Sequence, residues 1–107
     1  MIKTVVTTTI KLSGDFPIAV HPGGILKEFL DDRGVTQSQL ARHLQTDVAR
    51  INEICNRRRG VSAAMAVQFA RAFGTSASLW ANLQTNWELS TVNTKRLPRI
   101  GRIRVSA

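Results

Sequence analysis

A chain of 107 residues with 43% apolar content can build one domain around a modest core, and is too short for two. Fifteen Lys and Arg against seven acids leave a net charge of +8, which favours a polyanionic partner because each neutralised phosphate releases condensed counterions. The single cysteine, Cys55, excludes an intramolecular disulfide and a Cys-rich metal site, and no apolar run reaches the roughly 20 residues of a membrane span. Met1 to Leu12 lacks the continuous apolar stretch of a signal peptide, so the cytoplasm is the expected compartment and no membrane partner is expected.

Residues 1–19 form an N-terminal arm in which the β-branched run Lys3 to Ile10 is expected to be a strand. Residues 20–89 carry helical periodicity with five start and stop signals. The first helix is predicted over Pro22 to Arg33, with proline in its first turn, Ile25, Leu26, Phe29 and Leu30 as its apolar stripe, and Gly34 as its stop. Thr36 and Gln39 predict a capping box for the second helix, whose Leu40, Ala41 and Leu44 face inward. Asp47 is expected to cap the third, which buries Ile51 and Ile54 and stops near Asn56. Ser62 and Gly74 bracket the fourth, with Met65, Ala66, Phe69, Ala70 and Phe73 on one side. Ser76 caps the fifth, where Leu79, Trp80, Leu83 and Trp87 share a face. Residues 90–107 are a basic tail broken by Pro98 and Gly101, with two readings: extended, at a dimer seam or against a protein partner, or frayed and adding only non-specific attraction to DNA.

The second and third helices are joined by so tight a break at Gln45-Thr46 that their axes must cross steeply, with small Ala41 at the approach and Ile51 pointing into the angle. That is a helix-turn-helix unit. Its second helix presents a polar outer face of Asp47, Arg50, Asn52, Glu53 and Asn56, with Val48 and Ala49 at the exposed N-terminal end.

Here the chain resembles the HigA/VapI antitoxins, a branch of the lambda-repressor-like helix-turn-helix proteins. The resemblance covers residues 21–89 and is carried by His21-Pro22-Gly23, Thr36-Gln37 with Leu40-Ala41, Ile51-Asn52-Glu53-Ile54, and Ala70-Arg71-Ala72-Phe73-Gly74-Thr75-Ser76. Most specific is Trp80-x-Asn82-Leu83-Gln84 after the Gly-Thr-Ser link. The implied fold class is all-α, a five-helix lambda-repressor-like domain with short extended segments at both ends. The implied function is a DNA-binding antitoxin of a type II toxin–antitoxin pair. Such a protein would repress its own operon as a homodimer on double-stranded operator DNA and neutralise a RelE/HigB-like mRNA-cleaving toxin. The sequence departs from the family pattern at Gly24, Gln45, Thr46 and Arg57. Gln45 and Arg57 stand where glycine is usual, so a non-glycine left-handed residue costing roughly 1 kcal/mol is expected at the turn.

The resemblance also implies roles. Gln37, with Ser38 beside it, matches the residue that contacts phosphate and braces the recognition helix. Val48, Ala49 and Asn52 lie where the superfamily reads base edges: an apolar side chain can meet a thymine methyl, and an asparagine can pair bidentately with adenine. Arg50, Arg57, Arg58 and Arg59 are better suited to phosphate, because a flexible basic run discriminates poorly between bases.

No cofactor, metal or enzymatic chemistry is expected. His21 and His43 lack carboxylate companions for a metal, and no carboxylate cluster or His-based acid–base pair is present. Cys55, on the third helix, is expected to be half-buried and inert. Two other functions fit the same residues: a stand-alone helix-turn-helix regulator, and a protein-interaction module that has lost DNA binding.

Overall fold

The fold is seen in a computed structural model, which describes residues 19–104. Its first helix, α1 (Pro22–Arg33), opens with the proline whose missing N–H would be unbonded there in any case, and closes on Gly34 at φ 64°. The second, α2 (Gln37–Leu44), is held by a reciprocal capping box: Gln39 N–H donates to Thr36 Oγ1 at 3.0 Å, and Thr36 N–H donates to Gln39 Oε1 at 2.8 Å. The third, α3 (Val48–Cys55), is followed by α4 (Ala63–Phe73) and α5 (Ala77–Ser90), each of the last two capped by the predicted serine hydroxyl. Among the described residues these five α-helices and one 3-10 turn, Thr94–Arg96, make up the regular structure. The all-α, five-helix expectation therefore holds. The strand expected at Lys3 to Ile10 lies outside the described residues.

Each helix turns the stripe its periodicity predicts toward the core, with Phe29, Leu44, Phe73 and Leu79 partly buried at its edge. Leu26, Ile51, Ile54 and Leu83 are almost wholly removed from water, and each such side chain contributes roughly 1.5–3 kcal/mol. The largest buried group is Trp80, surrounded by Phe29, Phe69 and Phe73 with ring centroids 5.2, 5.0 and 5.9 Å away. Its indole N–H donates to Thr75 Oγ1 at 2.9 Å, which satisfies the polar atom that the indole carries inward. Helix α4 packs along α5 and α2 crosses α3, while α1 lies against both α3 and α5 and joins the two pairs.

Two expectations need correction. Asp47 occupies the N-cap position of α3, but its side chain makes no capping hydrogen bond. It is exposed, so water competes for the carboxylate and for the first-turn N–H groups. Cys55 is fully buried, at 3% exposure, as a member of the core cluster beside Ile51 and Ile54. Burial pushes its thiol pKa up.

Beyond α5, every residue from Glu88 to Arg104 is exposed, and Leu97–Arg104 carries no helix or strand. Leu97, Ile100 and Ile103 are 52%, 83% and 81% exposed.

Candidate nucleic-acid interface

The crossing of α2 over α3 sets the site. Ala41 and Ile51 are both buried at the approach, which fixes the angle and turns the other side of α3 outward. Gln45 adopts the left-handed conformation at φ 58°, and Thr46 N–H reaches back to Ala41 O at 2.9 Å. Arg57 does the same after α3 at φ 64°, with Arg58 N–H donating to Glu53 O at 2.8 Å. These hydrogen bonds close both helices in the Schellman pattern and carry the strain of the non-glycine residues.

On the outward side of α3, Val48, Ala49, Arg50 and Asn52 are all exposed, with Val48 at 46%. Gln37 is half-buried at the start of α2, and Ser38 next to it is exposed. Asn52 Nδ2 donates to Gln37 Oε1 at 3.1 Å, which ties the two helices together through side chains as well as through the core. Asn56 Nδ2 in turn donates to Asn52 Oδ1 at 3.0 Å, so three amides form one hydrogen-bonded row. Each amide oxygen has a second lone pair and each NH₂ a second proton. Asn52 is therefore oriented at both ends while one donor and one acceptor remain open toward solvent.

The three consecutive arginines are not equivalent. Arg59 Nε is paired with Glu53 Oε1 at 2.7 Å, between half-exposed side chains. Arg57 is placed by its left-handed backbone, and its charge reaches His21. Arg58 is exposed on the same loop. Arg50 projects from the middle of α3.

Four residues that hold this surface, His21, Gly23, Gln84 and Asn56, stood in the sequence only as parts of motifs or of a polar face, without this role. His21 is buried and caps α1, its Nδ1 accepting Gly23 N–H at 2.8 Å. Burial lowers its pKa below the ordinary 6.5, and the positive charge of Arg57 lowers it further, so the imidazole stays neutral and keeps its acceptor. Gly23 lies so close to the end of α3 that a β-carbon there would sit 1.9 Å from Ile54 O. That absence of a side chain lets α1 butt against α3. Gln84 Oε1, on α5, accepts Val61 N–H at 2.8 Å and so anchors the far end of the arginine loop, while its Nε2 donates to Glu88. Asn56 is read in sequence only as part of the polar outer face, one turn beyond Asn52.

The same contacts explain most of the Trp80-x-Asn82-Leu83-Gln84 pattern. Trp80 and Leu83 are core, and Gln84 pins the loop; nothing in the structure explains Asn82, which is exposed. Among the described residues no group of His, Cys, Asp and Glu could hold a metal, and no helix is long and apolar enough to cross a membrane.

Comparison with known proteins agrees with this geometry. A family model described as a helix-turn-helix domain matches residues 23–83. Virulence-associated protein I of Dichelobacter nodosus is 42% identical over 72 residues, spanning 66% of this chain and 67% of that protein. The structure of the Pseudomonas aeruginosa antitoxin HigA with the higBA promoter superposes with a TM-score of 0.67 at 41% identity, over 69% of this chain and 82% of that one. An addiction module antidote protein of the HigA family from Coxiella burnetii gives a TM-score of 0.63 at 34% identity, over 68% and 80% of the two chains. None of these names is that of an enzyme. The chain belongs to the helix-turn-helix domain family and, within it, to the HigA/VapI branch.

Proposed function

We propose that this protein is a cytoplasmic antitoxin that binds its own operator as a homodimer, represses the operon, and holds a RelE/HigB-like mRNA-cleaving toxin inactive. The observation that carries the DNA-binding part is the exposed face of α3, whose central Asn52 is oriented by Gln37 and Asn56 yet keeps a donor and an acceptor free. A donor beside an acceptor on one amide matches the N7 and N6 edge of adenine in the major groove. Exposed Val48 and Ala49 are suited to meet a thymine methyl. Gln37, Ser38, Arg50, Arg57 and Arg58 flank them and supply donors to phosphate, with Arg59 contributing once its bond to Glu53 opens. A relative of 41% identity solved with promoter DNA supports the partner class.

One α3 helix reads only about four base pairs, so two copies are needed for specificity, with half-site centres about 34 Å apart or a multiple of that. Quantitative footprinting on the promoter upstream of the gene tests the division of labour. Asn52→Ala should relax preference at one base position per half-site and cost about 1–3 kcal/mol on the correct site. Arg58→Ala should weaken all sequences alike and lower the salt slope by roughly 0.9. If a monomer protects a single half-site, or both variants alter specificity in the same way, the reading fails. Co-purification with the product of the adjacent reading frame tests the toxin.

A further inference from the structure

The exposed tail after α5 does not belong to the recognition-helix surface described above, yet it leaves the domain beside it. Trp87, one turn before the end of α5, packs edge-on against the His21 ring at a centroid distance of 5.3 Å. His21 in turn caps the helix whose Gly23 touches the end of α3, and it feels the charge of Arg57. The tail therefore emerges next to the loop that closes the DNA-facing helix. From Ser90 to Arg99 the chain can span on the order of 20–25 Å with the turn at Thr94–Arg96 drawn in. Along one face of a duplex, about half a helical turn, roughly 17 Å, separates a major groove from the next minor groove. The tail is long enough to cross it.

We infer that residues 97–104 are a second DNA-binding element, an arm that lies in the minor groove of A·T-rich sequence flanking each half-site. This rests on the DNA-binding reading and adds a second ligand feature to it. The segment has neither helix nor strand, so it is thin enough for a groove about 6 Å wide. Arg99, Arg102 and Arg104 are exposed, and no acid lies within the arm. Narrow A·T tracts concentrate negative potential and draw in arginine side chains in particular. Gly101 has nothing within 4 Å of its missing β-carbon, so the backbone between the arginines can approach the groove floor. Phosphate attraction alone explains the arginines but leaves Ile100 and Ile103 at 83% and 81% exposure without a role. Minor-groove binders use such apolar side chains as wedges between base steps. Pairing between two tails would bring together arms that are both basic, which argues against a second copy as the occupant.

The experiment begins with selection of binding sites from a random duplex library by the full-length protein. The arm should enrich A·T tracts of about four to six base pairs beside each half-site. Replacing the selected flanks by G·C should weaken binding about tenfold, and replacing them by inosine·C should restore it. Inosine lacks the minor-groove amino group of guanine but keeps its major-groove face, so restoration assigns the contact to the minor groove. The triple variant Arg99→Ala, Arg102→Ala, Arg104→Ala should keep the half-site and lose the flank preference. The lysine version of the same triple should keep most of the salt dependence and still lose that preference. Half-sites selected without any flank preference, or an alanine triple that weakens all flanks equally, would overturn the arm. A triple variant that loses dimer mass or toxin binding at high salt, with its flank preference intact, would overturn it in favour of a protein surface. If no sequence is enriched at all, the DNA-binding reading itself falls, and the arm with it.

Discussion

Helices α1 and α4 close through a left-handed glycine, whereas α2 and α3, the helix-turn-helix pair, close through left-handed Gln45 and Arg57. The backbone does nearly the same thing at all four: φ is 64° and 72° at Gly34 and Gly74, and 58° and 64° at Gln45 and Arg57. The following amide reaches back to the carbonyl five residues earlier, at 2.9 and 3.1 Å in the scaffold helices and at 2.9 and 2.8 Å in the helix-turn-helix pair. Helix closure is thus decided by hydrogen bonds that satisfy terminal carbonyls, and glycine is only the least strained residue to make them. A non-glycine residue there costs about 1–2 kcal/mol. The scaffold half of the molecule avoids that cost, and the functional half accepts it at two places where a polar or charged side chain stands beside the proposed DNA surface.

The largest effect should come from the scaffold. Trp80→Ala removes the centre of the aromatic cluster and the indole donor to Thr75 Oγ1, so it should destabilise the domain by about 3–5 kcal/mol in urea unfolding. A loss under about 1 kcal/mol would mean that the α4–α5 half does not carry the fold.

The helix ends provide a paired test with opposite signs. Gly74→Ala should cost about 1 kcal/mol, all of it conformational, because nothing lies within 4 Å of the added carbon. Gln45→Gly should change stability in the favourable direction, by up to about 1 kcal/mol. If both substitutions destabilise equally, the Gln45 side chain holds the turn by contacts, and the contrast between the two halves disappears.

A smaller effect concerns the joint between the halves. Neutral His21 accepts Gly23 N–H, and its pKa is lowered in the fold first by burial and then by Arg57. The unfolded chain therefore binds the proton more readily, and stability rises with pH across this window. The contribution is complete above the ordinary value of 6.5 and is lost as pH falls through the lower folded value. Unfolding midpoints measured from pH 7.5 to 5 should show that fall. His21→Asn, which keeps a cap acceptor but does not titrate, should flatten the part of the slope due to this group. An unchanged slope would show that His21 is not the titrating joint.

Local chemistry determined most of the helix limits. Thr36 with Gln39, Ser62, Ser76, Gly34 and Gly74 act within one turn of themselves, so their effect was legible from neighbours alone. The helix-turn-helix was legible for the same reason: a short turn between two amphipathic helices has few ways to pack. Asp47 shows where such inference stops, because a cap-forming residue type does not establish whether its side chain bonds to the helix or to water. The row Gln37–Asn52–Asn56 depends on how α2 crosses α3, and the pairing of Arg59 with Glu53 depends on how the loop turns back after α3. The burial of His21 and Cys55, the close approach of Gly23 to Ile54, and the anchoring of Val61 by Gln84 all join residues distant in sequence. Sequence alone determined which segments become helices and which stripe each one buries, because capping and periodicity are properties of adjacent residues. Only the tertiary structure decided which polar side chains orient one another on the outer surface, because those pairings exist only once the buried stripes have locked the helices at particular angles.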